Sequence, residues 1–359
     1  MFDSKYYVPI LKWKRGEQKA LEFLSDQHKE RLTPLIEIVP IPYDYANDRP
    51  QKAIDDHLKD IGNQLSTSWG KEKPIFLDLY WLDDSERLKD DRHPLEFIRS
   101  EASQKGINLI PVTGTTRSDD YNEAVKEAYI QDKLGVCIRL EDEDFLDIDS
   151  ALEDLLEQLC VKPEQVDLVI DFKYTSPSDE RKNILSMVSV INSIANINVW
   201  RNLILCCSAF PENMSGLPND IITPIPRTEW ITWKALVNTK KIRRMPVFGD
   251  YCIGSPGYVE MDPRIMNMTA NVRYTVENDW LIAKGKSIKK HGGEQYYALC
   301  QGLTRHPQYC GHAFSWADQV IFDCAKRKCG PGNAETWRRV GTNHHLSFVV
   351  EQLSSFPVI

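Results

Sequence analysis

Charged side chains interrupt several of the most apolar segments of this sequence. Glu37, Asp78 and Asp171 each lie within or directly after a run of apolar residues, and Arg139 and Lys173 occupy similar places. Burying a charge in such a segment costs free energy unless the charge is paired or hydrogen-bonded. Carboxylates can act as general acid and base or hold a Mg²⁺ ion, and cations can hold a phosphate group. These residues are therefore candidates for catalysis and binding.

The candidate catalytic residues are Glu37, Asp78 and Asp171. Six cations are the candidate ligand-binding residues, chiefly for a phosphate group: Lys12, Lys14, Arg139, Lys173, Arg273 and Lys284. The two sets together suit a phosphoryl or phosphodiester substrate, with Mg²⁺ as the one cofactor considered. Alternatively, Glu37 and Asp171 form an acid/base pair that acts on a sugar-like substrate. In a third interpretation the charges only neutralise one another. Lys12 would then pair with Glu37, and Arg139 with Asp171 or Asp78.

A repeating pattern of strands and helices positions these residues, because short apolar runs alternate with stretches of helical periodicity. The eight runs lie at residues 7–11, 32–39, 74–79, 107–112, 136–140, 166–172, 203–207 and 246–248. Their apolar residues fall on both parities, as in parallel strands buried on two faces. This predicts an α/β fold, a (β/α)8 TIM-like barrel, in which the carboxyl ends of the strands share one mouth. A doubly wound open parallel sheet has the same local pattern and is the alternative.

The pattern changes after residue 250. Residues 271–276 and 280–288 predict a β-hairpin that turns at residues 277–279, and helices are predicted at 315–326 and 345–353 with a loop at 326–341. We therefore divide the chain into eight βα units (1–262), a β-hairpin and helical insertion (263–343) and the closing helix of the barrel (344–359). The hairpin region carries cations that either contact an anion or nucleic acid or form a solvated edge: Arg273, Lys284, Lys286, Lys289 and Lys290.

Composition and absent motifs exclude several classes of protein. The chain has 359 residues and a formal net charge of −8, which disfavours a dedicated duplex-DNA binder. It contains no Walker loop, no GxGxxG after a strand, no GxSxG and no HExxH. No apolar run of about 18 residues occurs, so no membrane contact is expected. Nine cysteines without regular spacing indicate buried, reduced thiols in the cytoplasm.

The sequence predicts no metal-ligand residues. No histidine lies at a strand end, which disfavours a histidine-rich hydrolase site. The C-terminal region has ligand types for zinc, but their spacing matches no regular zinc motif: Cys300, His306, Cys310, His312, Cys324 and Cys329.

The chain also carries short motifs of distinctive order. They are KYYVPILKWKRGE (5–17), LTPLIEIVP (32–40), FLD (76–78), RYT (273–275) and WLI (280–282), the last followed by Lys284-Gly285. In these motifs the chain resembles the beta family protein group of temperate phages, phage satellites and bacterial genomic islands, over nearly its whole length. The resemblance implies a role in phage exclusion and antiviral defence, or in controlling a toxic partner protein from the same gene cassette. It implies no catalytic residues.

Two hypotheses for the function follow. In the first, this is an antiphage-defence or phage-exclusion accessory protein whose barrel mouth binds or processes a phosphate-bearing ligand, a nucleotide or a nucleic-acid end. Whether it is an enzyme stays open. In the second, it is a non-catalytic partner, as in a toxin–antitoxin pair, that neutralises or scaffolds a neighbouring toxic gene product. The second hypothesis relies on aromatic residues expected to be exposed in the C-terminal tail: Trp280, Tyr296, Tyr297, Trp316 and Trp337.

Overall fold

The computed structural model describes residues 2–259, 262, 264 and 267–357. Eight parallel strands form a closed barrel: β1 (Tyr7–Lys12), β2 (Leu35–Glu37), β3 (Pro74–Asp78), β4 (Asn108–Thr113), β5 (Val136–Leu140), β6 (Val166–Tyr174), β7 (Asn202–Ser208) and β8 (Val247–Asp250). Each strand pairs with the next along the chain, and β8 pairs with β1 to close the sheet. The TIM-like barrel predicted from the sequence is confirmed, and the open sheet is excluded.

Helices follow the first seven strands and pack on the outside of the barrel. They are α1 (Arg15–Glu22), α2 (Asp26–Lys29), α3 (Ile54–Leu58), α4 (Ile61–Ser68), α5 (Pro94–Gln104), α6 (Asp119–Asp132), α7 (Ile148–Leu159), α8 (Glu180–Ser193) and α9 (Thr228–Asn238). All of them except the one-turn α2 turn apolar residues inward; in α7 these include Ile148, Leu152 and Leu155. The loops contain two 3₁₀ turns and a short hairpin: Asp142–Leu146, Pro163–Gln165, and Tyr43–Asp44 paired with Arg49–Pro50. Within the described residues, no helix combines the length and the apolar character needed to cross a bilayer.

Alternation along each strand decides which side chains point into the barrel. In β2, Leu35 packs in the barrel interior and Ile36 packs against the outer helices, so Glu37 points inward again. In β8, Phe248 packs in the outer layer, so Asp250 points outward. The same end of the barrel therefore offers polar side chains both to its mouth and to the helices around it.

The C-terminal insertion is a three-stranded antiparallel sheet with helices on one face. Its strands are Ile221–Pro226, β9 (Thr269–Thr275) and β10 (Asp279–Ser287), and its helices are α10 (Ile288–His291), α11 (Gln295–Thr304) and α12 (Trp316–Ala325). The predicted hairpin is confirmed, because β9 and β10 pair directly. Trp280 and Ile282 pack on Ala209 and Phe210, which follow β7, so the insertion lies over part of the barrel mouth.

Two elements of the structure extend across the boundaries between the predicted parts of the chain. The strand Ile221–Pro226 lies in the segment assigned to the eight βα units, and it pairs with β10 of the insertion. The last helix, α13 (Ala334–Ser354), begins within the stretch predicted to be a loop. The side chain of Asn333 accepts a hydrogen bond from the Thr336 backbone N–H, which starts this helix directly after the glycines that indicated a loop.

Candidate functional site

Arg139 lies at the centre of a buried charge cluster inside the barrel mouth. Its Nη1 donates to Glu37 Oε1 and to Asp78 Oδ2, each at 2.9 Å. Its Nε and Nη2 donate to Asp171 Oδ2 at 2.9 and 2.7 Å. The Tyr251 hydroxyl accepts from Arg139 Nη2 at 2.7 Å and donates to Asp171. All five side chains are at most 5% exposed, so the barrel wall excludes water from these contacts.

The strand register explains this convergence. Cα pairing aligns Lys12 with Glu37 and Glu37 with Asp78, so inward side chains of β1, β2 and β3 lie in one layer. Arg139 lies two residues after Cys137, which packs in the barrel interior, so its side chain points inward as well. The guanidinium group therefore meets carboxylates from several strands.

A second layer of charges continues from these residues toward solvent. Arg117 donates to Asp78 Oδ1 at 2.6 Å, and Lys173 donates to Glu141 Oε2 and to the Tyr80 hydroxyl, both at 2.6 Å. Arg117 and Lys173 also lie 4.9 and 4.6 Å from the centroid of the Tyr80 ring. We call the whole group the Arg139 cluster: Glu37, Asp78, Tyr80, Arg117, Arg139, Glu141, Asp171, Lys173 and Tyr251.

The Arg139 cluster neutralises most of its own charge. Burial alone would lower the pKa of Arg139, but Tyr251, Asp171 and the other carboxylates raise it well above its usual value. The candidate catalytic residues Glu37, Asp78 and Asp171 are brought together, but each is bonded to the same guanidinium. A Mg²⁺ ion does not fit this donor set, because a cation already joins the three carboxylates. The ion-pair network of the third interpretation is therefore present here.

A second group of charges lines a cavity of about 860 Å³ between the barrel mouth and the insertion. Ligand sites in proteins typically have volumes of roughly 300–1,000 Å³. Six cations and three carboxylates line this space, which we call the cationic cavity: Lys12, Lys14, Arg15, Arg273, Lys284 and Arg338, with Glu17, Glu212 and Glu335. Aromatic rings line it as well, among them Tyr251, Tyr258 and Trp337. The cavity thus combines an excess of positive charge with flat apolar surfaces.

Backbone carbonyl groups, rather than carboxylates, hold three of these cations. Lys12 Nζ donates to two carbonyl oxygens, at 2.7 and 3.1 Å. Arg273 Nη1 donates to the Ile253 carbonyl at 2.6 Å, and Lys284 Nζ donates to the Leu217 carbonyl at 2.6 Å. Among the described residues, no ion pair within 4.0 Å joins any of the three cations to a carboxylate. Their positive charge is oriented but not cancelled.

Burial shifts the titration of groups in the cationic cavity. It lowers the pKa of Lys12 to about 8, although the nearby Glu37 opposes this shift. Burial and the neighbouring Arg338 lower the pKa of Arg273 well below its usual value. Burial raises the pKa of Glu17, whose Oε2 has no hydrogen-bond partner in the part of the chain that the structure describes. A bound anion would offset the cost of keeping Lys12 and Arg273 charged.

Comparison with known proteins identifies the family. The sequence matches the family described as Beta protein over residues 7–351. This chain belongs to the Beta protein family. No curated protein matches it.

Several solved structures are similar to this member of the Beta protein family. Triosephosphate isomerase from Bartonella henselae is 12% identical, with 70% of this chain and 94% of that chain covered and a TM-score of 0.35. The catalytic module of a family 98 glycoside hydrolase from Streptococcus pneumoniae is 9% identical, with 70% and 48% covered and a TM-score of 0.41. A fungal β-1,4-galactanase is also 9% identical, with 70% and 90% covered and a TM-score of 0.41.

In this Beta protein family member, the six candidate ligand-binding residues separate into two groups. Four of them line the cationic cavity: Lys12, Lys14, Arg273 and Lys284. The other two, Arg139 and Lys173, are bonded to carboxylates of the Arg139 cluster. The remaining cations of the predicted basic stretch are exposed at the surface: Lys286, Lys289 and Lys290. The solvated-edge interpretation therefore holds for these three lysines, whereas Arg273 and Lys284 line the cationic cavity.

Several residues of both groups are not among the candidates that the sequence indicates. Tyr80 directly follows the predicted third strand, and Glu141 directly follows β5. Their position next to a strand end could therefore have indicated that they belong to the barrel mouth. Arg338 has no such signal, because its place in the cavity depends on contact between two distant helices. A Cβ added to Gly16 of α1 would lie 2.8 Å from Arg338 Cγ, so glycine permits that contact.

The aromatic tail that the second hypothesis expects to be exposed is largely buried. Trp280, Tyr296 and Trp337 are at most 4% exposed, and the rings of Tyr296 and Trp337 stack at 4.8 Å between centroids. That expectation is wrong for these three residues, because they pack within the insertion and against the barrel. Among the described residues, the cysteines and histidines between Cys300 and Cys329 form no group compact enough to hold a metal ion.

Proposed function

We propose that the protein binds a phosphate-bearing ligand, a nucleotide or a nucleic-acid end, in the cationic cavity. The observation that carries this proposal is that Lys12, Arg273 and Lys284 are held at the cavity wall by carbonyl oxygens. A buried cation without a counter-charge is costly. A phosphate group supplies both the negative charge and several hydrogen-bond acceptors, and its bonds to cations are about twice as strong as neutral ones.

The first turn of α1 adds backbone donors to this wall. Lys14, Arg15, Gly16 and Glu17 line the cavity, and the side chain of Lys14, the N-cap residue, makes no capping hydrogen bond. The first N–H groups of a helix have no partners within the helix, and they carry the positive end of its dipole. This helix terminus therefore favours an anion at the same place as Lys12, Arg273 and Lys284, of which Lys284 is buried and the other two are partly buried.

The aromatic residues of the cavity support a nucleotide rather than a small inorganic anion. Tyr258 lies beside Lys14, with the ammonium nitrogen 4.5 Å from the ring centroid, and Trp337 lines the wall near Arg338. A base stacked on an aromatic side chain contributes roughly 1–3 kcal/mol. Binding is the activity proposed here; the carboxylates Glu37, Asp78 and Asp171 would first have to leave Arg139 before they could take part in a reaction.

Titration calorimetry with ATP, and with one oligonucleotide in 5′-phosphorylated and dephosphorylated forms, tests this proposal. The double variant Arg273→Met, Lys284→Met should bind ATP roughly 100-fold more weakly, because it loses two charge-assisted contacts. Lys286→Met is the matched control, since Lys286 lies on the same face of β10 but is exposed and pairs with Asp220. The control should bind as the wild type does. Absence of wild-type binding to every probe, or unchanged binding by the double variant, would contradict the proposal.

The phage-exclusion role that the family resemblance implies is part of the same proposal. We place it in the cytoplasm, because all nine cysteines are free and such thiols stay reduced there. Phage plating on cells that carry the wild type, the double variant or Lys286→Met provides the test. Protection should be lost with the double variant alone, and equal protection by all three proteins would separate phage exclusion from the cavity.

A further inference from the structure

Three different types of metal ligand meet where β8 faces α13. One ligand atom each from Asp250, Cys252 and His345 lies within 4.8 Å of the other two, and all three side chains are at most 2% exposed. We propose that these residues form a zinc site at the junction of the barrel and the insertion. The inference is independent of the proposed phosphate-bearing ligand, because it concerns different side chains and a different kind of ligand.

The fold brings these residues together from distant parts of the chain. Asp250 ends β8 and points out of the barrel, and Cys252 follows two residues later in the left-handed backbone conformation, with φ of 54°. Non-glycine residues adopt this conformation rarely, and it occurs often at functional sites. His345 comes from the buried face of α13, where its Nε2 lies 2.9 Å from Asp250 Oδ2. No strand-end pattern in the sequence could indicate a ligand from this helix.

The donor set suits zinc better than a hard cation. Thiolate sulfur, imidazole nitrogen and carboxylate oxygen are the usual Zn²⁺ ligands, with bond lengths of about 2.0–2.3 Å. The Tyr7 hydroxyl is a candidate for the fourth donor, because it lies 2.5 Å from Asp250 Oδ1 and 3.6 Å from Cys252 Sγ. Cys252 also lines the cationic cavity, so water or a ligand could take the fourth position instead.

A neighbouring hydroxyl is placed to orient the histidine. His345 Nδ1 lies 2.8 Å from Thr275 Oγ1, on the side of the ring opposite Asp250. Metal-binding histidines usually donate their other ring N–H to such an acceptor, which fixes the tautomer and the ring plane. Zn²⁺ binding would release the Cys252 thiol proton, and the neutral imidazole would carry its proton on Nδ1 and donate a hydrogen bond to Thr275 Oγ1.

Charge balance favours a divalent ion in this buried place. A thiolate and a carboxylate carry two negative charges, which Zn²⁺ cancels, whereas a buried group of uncancelled charges is costly. The adjacent His344 offers a contrast: it bonds to Asp318 and to the Thr275 carbonyl, and among the described residues it belongs to no group of three metal-ligand side chains. Within the part of the chain that the structure describes, the mixed ligand set occurs at His345.

Cobalt substitution of the metal-free wild-type protein is the direct test. Co²⁺ should produce a near-ultraviolet thiolate charge-transfer band at one equivalent, and added Zn²⁺ should abolish that band by displacement. Cys252→Ala should lose the band, whereas Cys206→Ala, which removes an equally buried thiol on the inner face of β7, should keep it. Thr275→Val should keep the band but weaken Zn²⁺ affinity roughly 10- to 100-fold, as expected for an orienting residue.

Two outcomes would overturn the zinc site. Wild-type protein that is folded but shows no cobalt–thiolate band, and contains no zinc by elemental analysis, would identify the group as a hydrogen-bonded network only. A band that survives in Cys252→Ala would assign the metal to another cysteine. The wild-type cobalt spectrum decides the first point even where a variant fails to fold, and neither result depends on whether the cavity binds ATP.

Discussion

The Arg139 cluster and the cationic cavity use the same residue types at the same end of one barrel, yet their charges have different partners. Arg139 bonds to three carboxylates, and its charge is cancelled within the protein. Lys12 and Lys284 bond to carbonyl oxygens, which orient an ammonium group without cancelling it. Charges at strand ends therefore do not by themselves identify a binding site. The nature of the nearest acceptor separates a structural network from a site that attracts an anion.

Replacing Arg139 tests whether the Arg139 cluster is a structural network, and it has the largest expected effect. Arg139→Met should destabilise the fold by about 3–5 kcal/mol, because it leaves three buried carboxylates without their shared cation. Urea denaturation measures this change. Arg87→Met is the control, since Arg87 pairs with the exposed carboxylate of Asp120, so its loss should cost about 1 kcal/mol or less. An Arg139→Met protein of wild-type stability that fails to bind ATP would show that the cluster is itself the binding site.

Lys12 allows a smaller and more specific test, because it adjoins both regions. Lys12→Met should weaken ATP binding by about tenfold at pH 7, the loss of one charge-assisted contact. Since the pKa of Lys12 is about 8, wild-type affinity should fall as the pH rises through 8. The variant should show no such fall between pH 7 and 9. Parallel pH profiles for both proteins would contradict the assigned role of Lys12.

The same residue makes an opposite prediction for stability. Its folded-state pKa of about 8 lies below the ordinary lysine value of 10.5, so the unfolded chain binds more protons between these two pH values. The free energy of unfolding of the wild type should therefore rise with pH across that interval, relative to that of Lys12→Met. Lys12 would thus lower the free energy of unfolding at neutral pH while it strengthens anion binding. Such a trade-off between stability and activity is common for functional residues.

The sequence allowed the barrel and much of the Arg139 cluster to be predicted, because both depend on local patterns. Alternating parity and strand-end position are enough to place Glu37 and Asp78 in one mouth. The cationic cavity was harder to predict, since Arg338 and the carbonyl groups that hold Lys12 come from segments that meet only in the folded chain. The helix that carries His345 was misjudged at its start, because Asn333 follows a glycine-rich stretch that resembles a loop.

Trp81 lies between the Arg139 cluster and the cationic cavity. Its replacement has the smallest expected effect and tests whether the two are separate. Its Nε1 donates to Glu37 Oε2 at 2.9 Å, while its ring lies 5.9 Å from Lys12 Nζ and 5.7 Å from the Tyr258 ring. Trp81→Phe removes the donor and keeps a ring, so the fold should lose about 1 kcal/mol while ATP affinity changes less than about twofold. Urea denaturation and calorimetry on the same samples measure both quantities. If affinity falls tenfold at unchanged stability, Glu37 belongs to the binding site, and the cluster and the cavity are one functional unit rather than two.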